Sequence, residues 1–333
     1  MINGTLKIKN IGGNDIPLYK KIFNAFRESI ETNSLKSGDS IPSINEFSKD
    51  YKISRDTVFK AYTLLKNEGF IKSTPNKGYY ITDSKIKVLL LISTFKSYKE
   101  VLYHSFMQNL PNNVIVDLQF HHYSVKNFKS MLDIQNGKYY KYIVMGFDHP
   151  EVKKALSKID ERRLLLIDWD LHSKKVSNFI FQDFGQGFYN CLVEALPLFK
   201  KYKAINFIYP EFTYHPWESV IYFKKFCQTH NLTFDVIKSS KNFIVNKDTA
   251  YITVNDRMLY ELLDQCLNYN FELGKDVGVL SYNETPIKRF TYKGISVVSV
   301  DFKDFGVKAA EFVTSDSKIQ TYLPTQLILR ESL

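Results

Sequence analysis

Along the last three quarters of the chain, short aliphatic runs are each followed at once by polar or aromatic side chains. Ser93, Thr94 and Phe95 follow the run at 88–92, Asp148 and His149 the run at 142–145, Asp168 and Trp169 the run at 164–167, and Gln182 and Asp183 the run at 179–181. Tyr214, His215 and Trp217 follow 205–209, Asn255 and Asp256 follow 251–254, Asn283 follows 277–280, and Phe302 follows 297–300. Carboxylates and amides each make two hydrogen bonds to hydroxyls while aromatic planes cover C–H faces, so this set suits a neutral polyol. Asp256 also has the spacing of a helix N-cap ahead of Met258, a role that leaves one carboxylate oxygen for a ligand. Trp169 and Trp217, taken singly, read first as packing. A second group lies near the start of the chain. Arg55, just inside a predicted helix, offers a planar fork to guanine O6 and N7 or to a phosphate, and Ser54 and Thr57 suit phosphate oxygens. The plain alternative for Arg55 is a solvated ion pair with Asp56 or Glu68.

Other patterns carry less. His121 and His122, read as neighbours in a strand, point to opposite faces and hold no common metal ion. Gly185-Gln186-Gly187 lacks the third glycine of a dinucleotide loop, and neither a phosphate-binding loop nor a GxSxG elbow is present, so no cofactor and no catalytic residue are expected. Cys191, Cys227 and Cys266 are odd in number and widely spaced, which favours free buried thiols in a reducing compartment. The aromatic residues Tyr202, Phe207, Tyr209 and Phe212 read as core. The run Val88-Leu89-Leu90-Leu91-Ile92 falls far short of the ~20 apolar residues of a membrane span, and the N-terminus has no export signal, so a cytoplasmic protein without a membrane partner is expected.

Two textures meet near residue 85. The chain has 333 residues, 44% of them hydrophobic, which suggests two or three domains with sizeable cores. Its net charge is +10, and residues 1–85 hold half of it, with 14 Lys/Arg against 9 Asp/Glu. In that first part Pro17 opens a helical pattern with Ile22, Phe23, Phe26 and Ile30 on one stripe. Ser43 with Glu46 forms a capping box, and Ser54 caps a helix from Arg55 to about Asn67 that Gly69 stops. Strands at 70–73 and 79–82 complete a winged helix-turn-helix. Beyond residue 86, aliphatic runs alternate with helical stretches at 98–110, 151–158, 185–200, 217–230 and 258–269. That alternation is the pattern of doubly wound parallel sheets, long enough for two lobes. Ligands in such sheets bind beyond the carboxyl ends of the strands.

These residues also carry resemblances. Gly38-Asp39-Ser40-Ile41-Pro42-Ser43, Ile53-Ser54-Arg55-Asp56-Thr57-Val58 and Leu65-Lys66-Asn67-Glu68-Gly69-Phe70-Ile71 resemble the GntR family of bacterial regulators. The resemblance implies DNA contacts by Ser54, Arg55, Thr57, Lys77 and Gly78, to which Ser43 and Lys60 are added. Asn45 and Phe59 stand where many members carry basic residues. The segment 250–306, with Val254-Asn255-Asp256-Arg257-Met258 and Ser281-Tyr282-Asn283-Glu284, and the closing Leu323-Pro324-Thr325-Gln326-Leu327-Ile328 resemble the effector domain of the LacI family and related periplasmic sugar-binding proteins. That resemblance implies a two-lobed, periplasmic-binding-protein-like domain of Rossmann-like lobes, with effector contacts on Asn255 or Asp256, Asn283 and Phe302. The arginine usual near Ser219 is missing.

The expected organisation is a DNA-binding domain over residues 1–83, a linker at 84–86 and an effector-binding and dimerisation domain over 87–333. The expected partners are double-stranded operator DNA, a small sugar effector and a second copy in a homodimer. The expected activity is that of a transcriptional repressor of a carbohydrate operon. An enzyme domain fused to a DNA-binding head, or a DNA-binding scaffold with a vestigial pocket, are the alternatives.

Overall fold

The structure is a computed structural model that describes residues 16–31, 34–75, 78–82, 86–135, 138–171, 176–239, 243–315 and 317–333. Lys77 and most of the expected linker (Ser84 and Lys85) lie outside the described residues. The chain divides into two compact units, Met1–Lys87 with Pro111–Ile115, and Val88–Leu110 with Val116–Leu333.

In the first unit α1 (Leu18–Glu31) is followed by β1 (Ser40–Ile41), α2 (Ile44–Tyr51), α3 (Arg55–Asn67), β2 (Ile71–Thr74) and β3 (Gly78–Ile81). The α1 stripe Ile22, Phe23, Phe26 and Ile30 is buried against Phe47 of α2 and against Val58, Ala61, Tyr62 and Leu65 of α3. Phe26, Phe47 and Tyr62 meet ring to ring, and the Tyr62 hydroxyl donates to Pro42 O at 2.9 Å, which satisfies a buried polar tip. The capping box is present, with Ser43 N donating to Glu46 at 2.7 Å and Glu46 N donating to Ser43 Oγ at 3.3 Å. Gly69 takes φ +78°, a left-handed turn that costs other residues steric strain, and lets Phe70 N return to Leu65 O at 2.8 Å. The two-residue β1 pairs antiparallel with β3, so the expected hairpin is a three-stranded sheet of order β1-β3-β2.

The second unit opens with β4 (Ile86–Ile92), α4 (Ser97–Gln108), β5 (Val114–Phe120), α5 (Val125–Gln135), β6 (Lys141–Met145), α6 (Pro150–Leu156), β7 (Leu164–Asp168) and β8 (Phe179–Gln182). It continues with α7 (Gln186–Phe199), β9 (Ala204–Ile208), α8 (Glu218–Thr229), β10 (Phe234–Ile237), β11 (Thr249–Thr253), α9 (Asp256–Asn268), β12 (Val277–Tyr282) and β13 (Ser296–Ser299). It closes with α10 (Phe302–Thr314), β14 (Gln320–Leu323) and β15 (Gln326–Ile328). The first residues of β4 and β5 fall on the other side of the division between the units.

Two six-stranded sheets result, ordered β14-β8-β7-β6-β4-β5 and β10-β9-β11-β12-β13-β15. Pairing is parallel from β14 to β4 and from β10 to β13, with β15 antiparallel to β13. Strands such as β6 and β11 are buried on both faces, as expected where helices cover both sides of a parallel sheet. The chain crosses between sheets after β8, after β13 and between β14 and β15. In the second crossing α10 packs along α4, and Gly306 makes this possible: a Cβ there would lie 2.6 Å from Leu102 O and Phe106 N. The architecture is therefore an α/β chain with an N-terminal helix-turn-helix and two Rossmann-like lobes.

Candidate functional site

In the first unit the starts of α2 and α3 form one exposed surface. Ser54 caps α3, accepting from Thr57 N at 3.3 Å, while its Oγ lies 2.7 Å from Thr57 Oγ1. Arg55 and Lys60 are exposed on the same helix, away from its buried stripe. Ser43, Ile44, Asn45, Arg55, Asp56, Phe59 and Tyr79 line a shallow concavity of about 470 Å³. Gly78 opens β3 with φ +89° opposite Thr74, so the strand turns without a Cβ penalty. Two capped helix starts with exposed basic and hydroxyl groups favour an anion.

In the second unit a cleft of about 230 Å³ lies at the carboxyl ends of strands from both sheets. The first lobe contributes Thr94, Lys96 and Tyr98 after β4, Tyr123 after β5, Gly146 after β6, Asp168 and Trp169 at the end of β7, and Gln182 at the end of β8. The second lobe contributes Phe212 to Pro216 after β9, Asn255 and Asp256 after β11, and Tyr282 and Asn283 at the end of β12. Trp169 packs against the cores of both lobes and donates from Nε1 to Gly146 O at 3.3 Å. Tyr123 and Tyr214 stack from opposite lobes with ring centroids 3.6 Å apart and planes 2° from parallel.

The carboxylates are held from behind. Gln182 Nε2 donates to Asp168 Oδ1 at 2.6 Å. Burial raises the Asp168 pKa, and the Lys99 ammonium and Gln182 pull it back. Lys99 itself is buried beside Ser93 Oγ, and desolvation brings its pKa down to about 8. Asp256 pairs through Oδ1 with Lys288 at 2.9 Å. Lys288, 1% exposed, also donates to the carbonyls of Tyr282 and Asn283 at 2.8 Å each, which ties the β11 and β12 loops together. Asp168, Tyr123 and Asn283 adopt φ of +88°, +57° and +65°, so three cleft loops are held in left-handed turns, and strain of this kind gathers at functional sites.

Four lining groups have buried polar atoms with no hydrogen-bond partner among the described residues: Thr94 Oγ1, His215 Nε2, Tyr282 Oη and Asn283 Oδ1. His215 sits edge-on between Tyr282, at 4.3 Å, and Phe184, at 5.0 Å. Burial, with the Lys96 ammonium, lowers its pKa to about 3, so the ring is neutral at pH 7. Buried polar atoms of this kind are rare because an unmade hydrogen bond is costly, and their gathering in one cleft is the chemistry of a polar ligand site.

Of the residues proposed from sequence, Asp168, Trp169, His215, Asn255, Asp256 and Asn283 meet in this cleft. Asp148, Asp183 and Trp217 line an adjoining cavity of about 600 Å³ with Trp169, Asp170, Glu218 and Tyr322. Two of those acids are already engaged: Asp148 pairs with Lys153 at 2.8 Å, and Asp183 accepts from the amides of Gly185 and Gly187 at the start of α7.

Four others are placed elsewhere. Ser93 is buried beneath the floor with Lys99, and Phe95 lies outward against Tyr103 and Phe120. His149 caps α6, its Nδ1 accepting from Glu151 N at 3.1 Å. Phe302 is buried and does not line the cleft; its ring packs at a tilt of 37° against Tyr98, which does, with centroids 4.7 Å apart. The N-cap of α9 is Asn255, whose Oδ1 accepts from Met258 N at 3.0 Å; Asp256 is the first helical residue, which frees its second oxygen. His121 and His122 lie just past β5 rather than in a strand. His121 Nδ1 accepts from Tyr123 N and Nε2 lies 2.9 Å from Met145 O, so both nitrogens are engaged. Phe212 is not core: it is half exposed, with the Arg257 guanidinium 5.3 Å from its ring centroid. The residues missed from sequence are Lys96, Tyr98 and Tyr123. Tyr98 was hidden within a predicted helix, and in β5, whose end sets Tyr123, the short run Val114-Ile115-Val116 is cut off by Asp117.

The profile of bacterial regulatory proteins of the gntR family matches residues 18–81, and that of periplasmic binding protein-like domains matches residues 200–333. The uncharacterized HTH-type transcriptional regulator YdeL of Bacillus subtilis is 35% identical over 66 residues, 20% of this chain. This chain covers 14% of that relative's length. Among solved structures, the trehalose repressor from Escherichia coli superposes with a TM-score of 0.62 at 14% identity, over 74% of this chain and 100% of that one. A LacI family transcriptional regulator from Arthrobacter sp. FB24, in complex with lactose, gives 0.60 at 11% identity, over 74% and 99%. This chain thus joins a gntR-type helix-turn-helix to a periplasmic binding protein-like domain with the fold of the LacI-family regulators.

Proposed function

We propose that the protein is a cytoplasmic, sequence-specific transcriptional regulator that binds double-stranded operator DNA as a homodimer and responds to a sugar or sugar-derived effector. Residues 1–83 are the DNA-binding domain, 84–86 the linker and 87–333 the effector domain. Ser43, Ser54, Arg55, Thr57, Lys60, Lys77 and Gly78 contact DNA, and Arg55 reads or clamps through its fork. The effector is held by Asp168, Asp256, Asn255 and Asn283, with Trp169, Tyr98 and Tyr282 against its C–H faces. Repression of a carbohydrate-utilisation operon is the expected output, in keeping with the trehalose repressor and the lactose-bound regulator that share the fold.

The observation that carries the effector reading is the set of four unpartnered polar atoms at a cleft already furnished with two carboxylates. Hydroxyls are both donors and acceptors and can serve acids, amides and a neutral imidazole at once. The cleft's volume of about 230 Å³, below the ~300–1,000 Å³ of drug-sized sites, suits a monosaccharide. The adjoining cavity of about 600 Å³, which shares Trp169 and Gln182 with it, leaves room for a longer sugar.

The test is a thermal-shift screen of the full chain against pentoses, hexoses and 6-deoxyhexoses, paired with DNA binding. At least one sugar is expected to raise the melting temperature, and Asp256→Ala to abolish that rise while DNA binding survives. Arg55→Ala is expected to weaken DNA binding by about 1–3 kcal/mol and leave the sugar response intact. A sugar response that persists in Asp256→Ala removes the cleft assignment. Turnover of the sugar without any effect on DNA binding favours an enzyme domain instead.

A further inference from the structure

Among the described residues, Phe59 takes no part in the buried core of the first unit. It lies on α3 away from the buried stripe of Val58, Ala61, Tyr62 and Leu65, and its side chain is 58% exposed. Its neighbours on the outer face are charged: Arg55, Asp56 and Lys60 are all exposed. Such surroundings do not suit an apolar protein interface, whose centre is depleted of charge. They suit a polyanion that also offers an apolar feature.

Phe59 stands four residues after Arg55, so both side chains leave the same side of the helix, and both line the concavity formed with Ser43, Asn45 and Tyr79. The four-residue step rises about 6 Å along the axis, slightly under two base steps of ~3.4 Å. In a DNA major groove the only apolar mark on a base edge is the 5-methyl group of thymine, and a guanine offers O6 and N7 to an arginine fork. We propose that Phe59 is a specificity-determining residue that packs its ring on a thymine methyl group, about two base steps from the base or phosphate held by Arg55. This rests on the DNA-binding reading above and goes beyond it by naming the base feature that is read.

The test isolates the methyl group. Full-length protein selects duplexes from a random 30-base-pair library, and each thymine of the selected site is then replaced by uracil, which removes only the 5-methyl. For the wild type, one discrete thymine is expected to be worth about fourfold in affinity, the value of one buried methyl group. Phe59→Ala should bind the thymine duplex more weakly by a similar factor and be indifferent to uracil at that position, whereas Phe59→Leu keeps part of the preference. Thermal unfolding of Phe59→Ala should match the wild type, since the ring is exposed. Uracil without effect at every position, or Phe59→Ala retaining the wild-type preference, overturns the assignment alone. No enrichment from the library overturns the DNA-binding reading and this inference with it.

Discussion

Two buried histidines make the cost of burial measurable. His121 is fully buried with both nitrogens engaged, and desolvation lowers its pKa from 6.5 to about 4; His215 is lowered to about 3. In the unfolded chain both would take up a proton near pH 6.5. Between that value and the depressed ones the unfolded state therefore binds more protons than the folded state, so stability is lost on acidification. Each histidine contributes a slope of up to about 1.4 kcal/mol per pH unit in this window. Urea unfolding of the wild type and His121→Gln at pH values from about 7 to 5 should show a slope shallower by that amount in the variant, whatever its absolute stability. Equal slopes would mean that His121 is protonated in the folded protein. Residue roles were only partly legible in sequence. That Asp256 lines the cleft as the first helical residue and Asn255 caps the helix turns on which side chain reaches Met258 N, a matter of one residue in phase that spacing alone does not resolve.

At the scale of elements, legibility followed local signal. The helix-turn-helix was readable almost to the residue because Ser43, Ser54, Glu46 and Gly69 punctuate it with capping and turn chemistry. The two residues of β1 carry no such signal, since their strand character comes only from pairing with Tyr79 and Tyr80. In the second unit the fully buried strands announced themselves as aliphatic runs. The half-exposed β5, β10, β14 and β15 did not, because residues such as Asp117, Gln119, Asp235 and Gln320 interrupt them. The packing of α10 on α4 was likewise unreadable, although it depends on one residue. Gly306→Ala puts a methyl 2.6 Å from two backbone atoms of α4, where neither can give way, and should cost about 1–3 kcal/mol. Gly69→Ala, where no atom lies within 4 Å, should cost about 1–2 kcal/mol through its left-handed backbone alone. Urea denaturation separates the two, because asparagine tolerates a left-handed backbone: Gly69→Asn should cost less than Gly69→Ala, whereas Gly306→Asn, which only adds bulk against α4, should cost more than Gly306→Ala.

For the whole molecule, the proposed function requires that effector binding in the second unit alter DNA affinity in the first. Such coupling is a free energy shared between two ligands, about 1–3 kcal/mol in typical cases, and it is reciprocal. The cleft supplies a place for differential affinity. Tyr123 and Tyr214 reach it from separate lobes and touch only when those lobes are close, while Asp256 and Lys288 belong to the second lobe alone. A sugar that bridges Asp168 and Asp256 therefore favours the closed arrangement, and whatever arrangement DNA favours must be linked to the same equilibrium. If a monosaccharide from the screen weakens DNA binding by a factor of about 5–150, selected duplex DNA must weaken sugar binding by that same factor. Calorimetric titration of the sugar into the full chain, with and without saturating duplex, measures it. Equal sugar affinities in the two titrations would mean that the cleft and the proposed DNA surface on α3 are independent, and that a change in DNA binding on adding sugar has another cause.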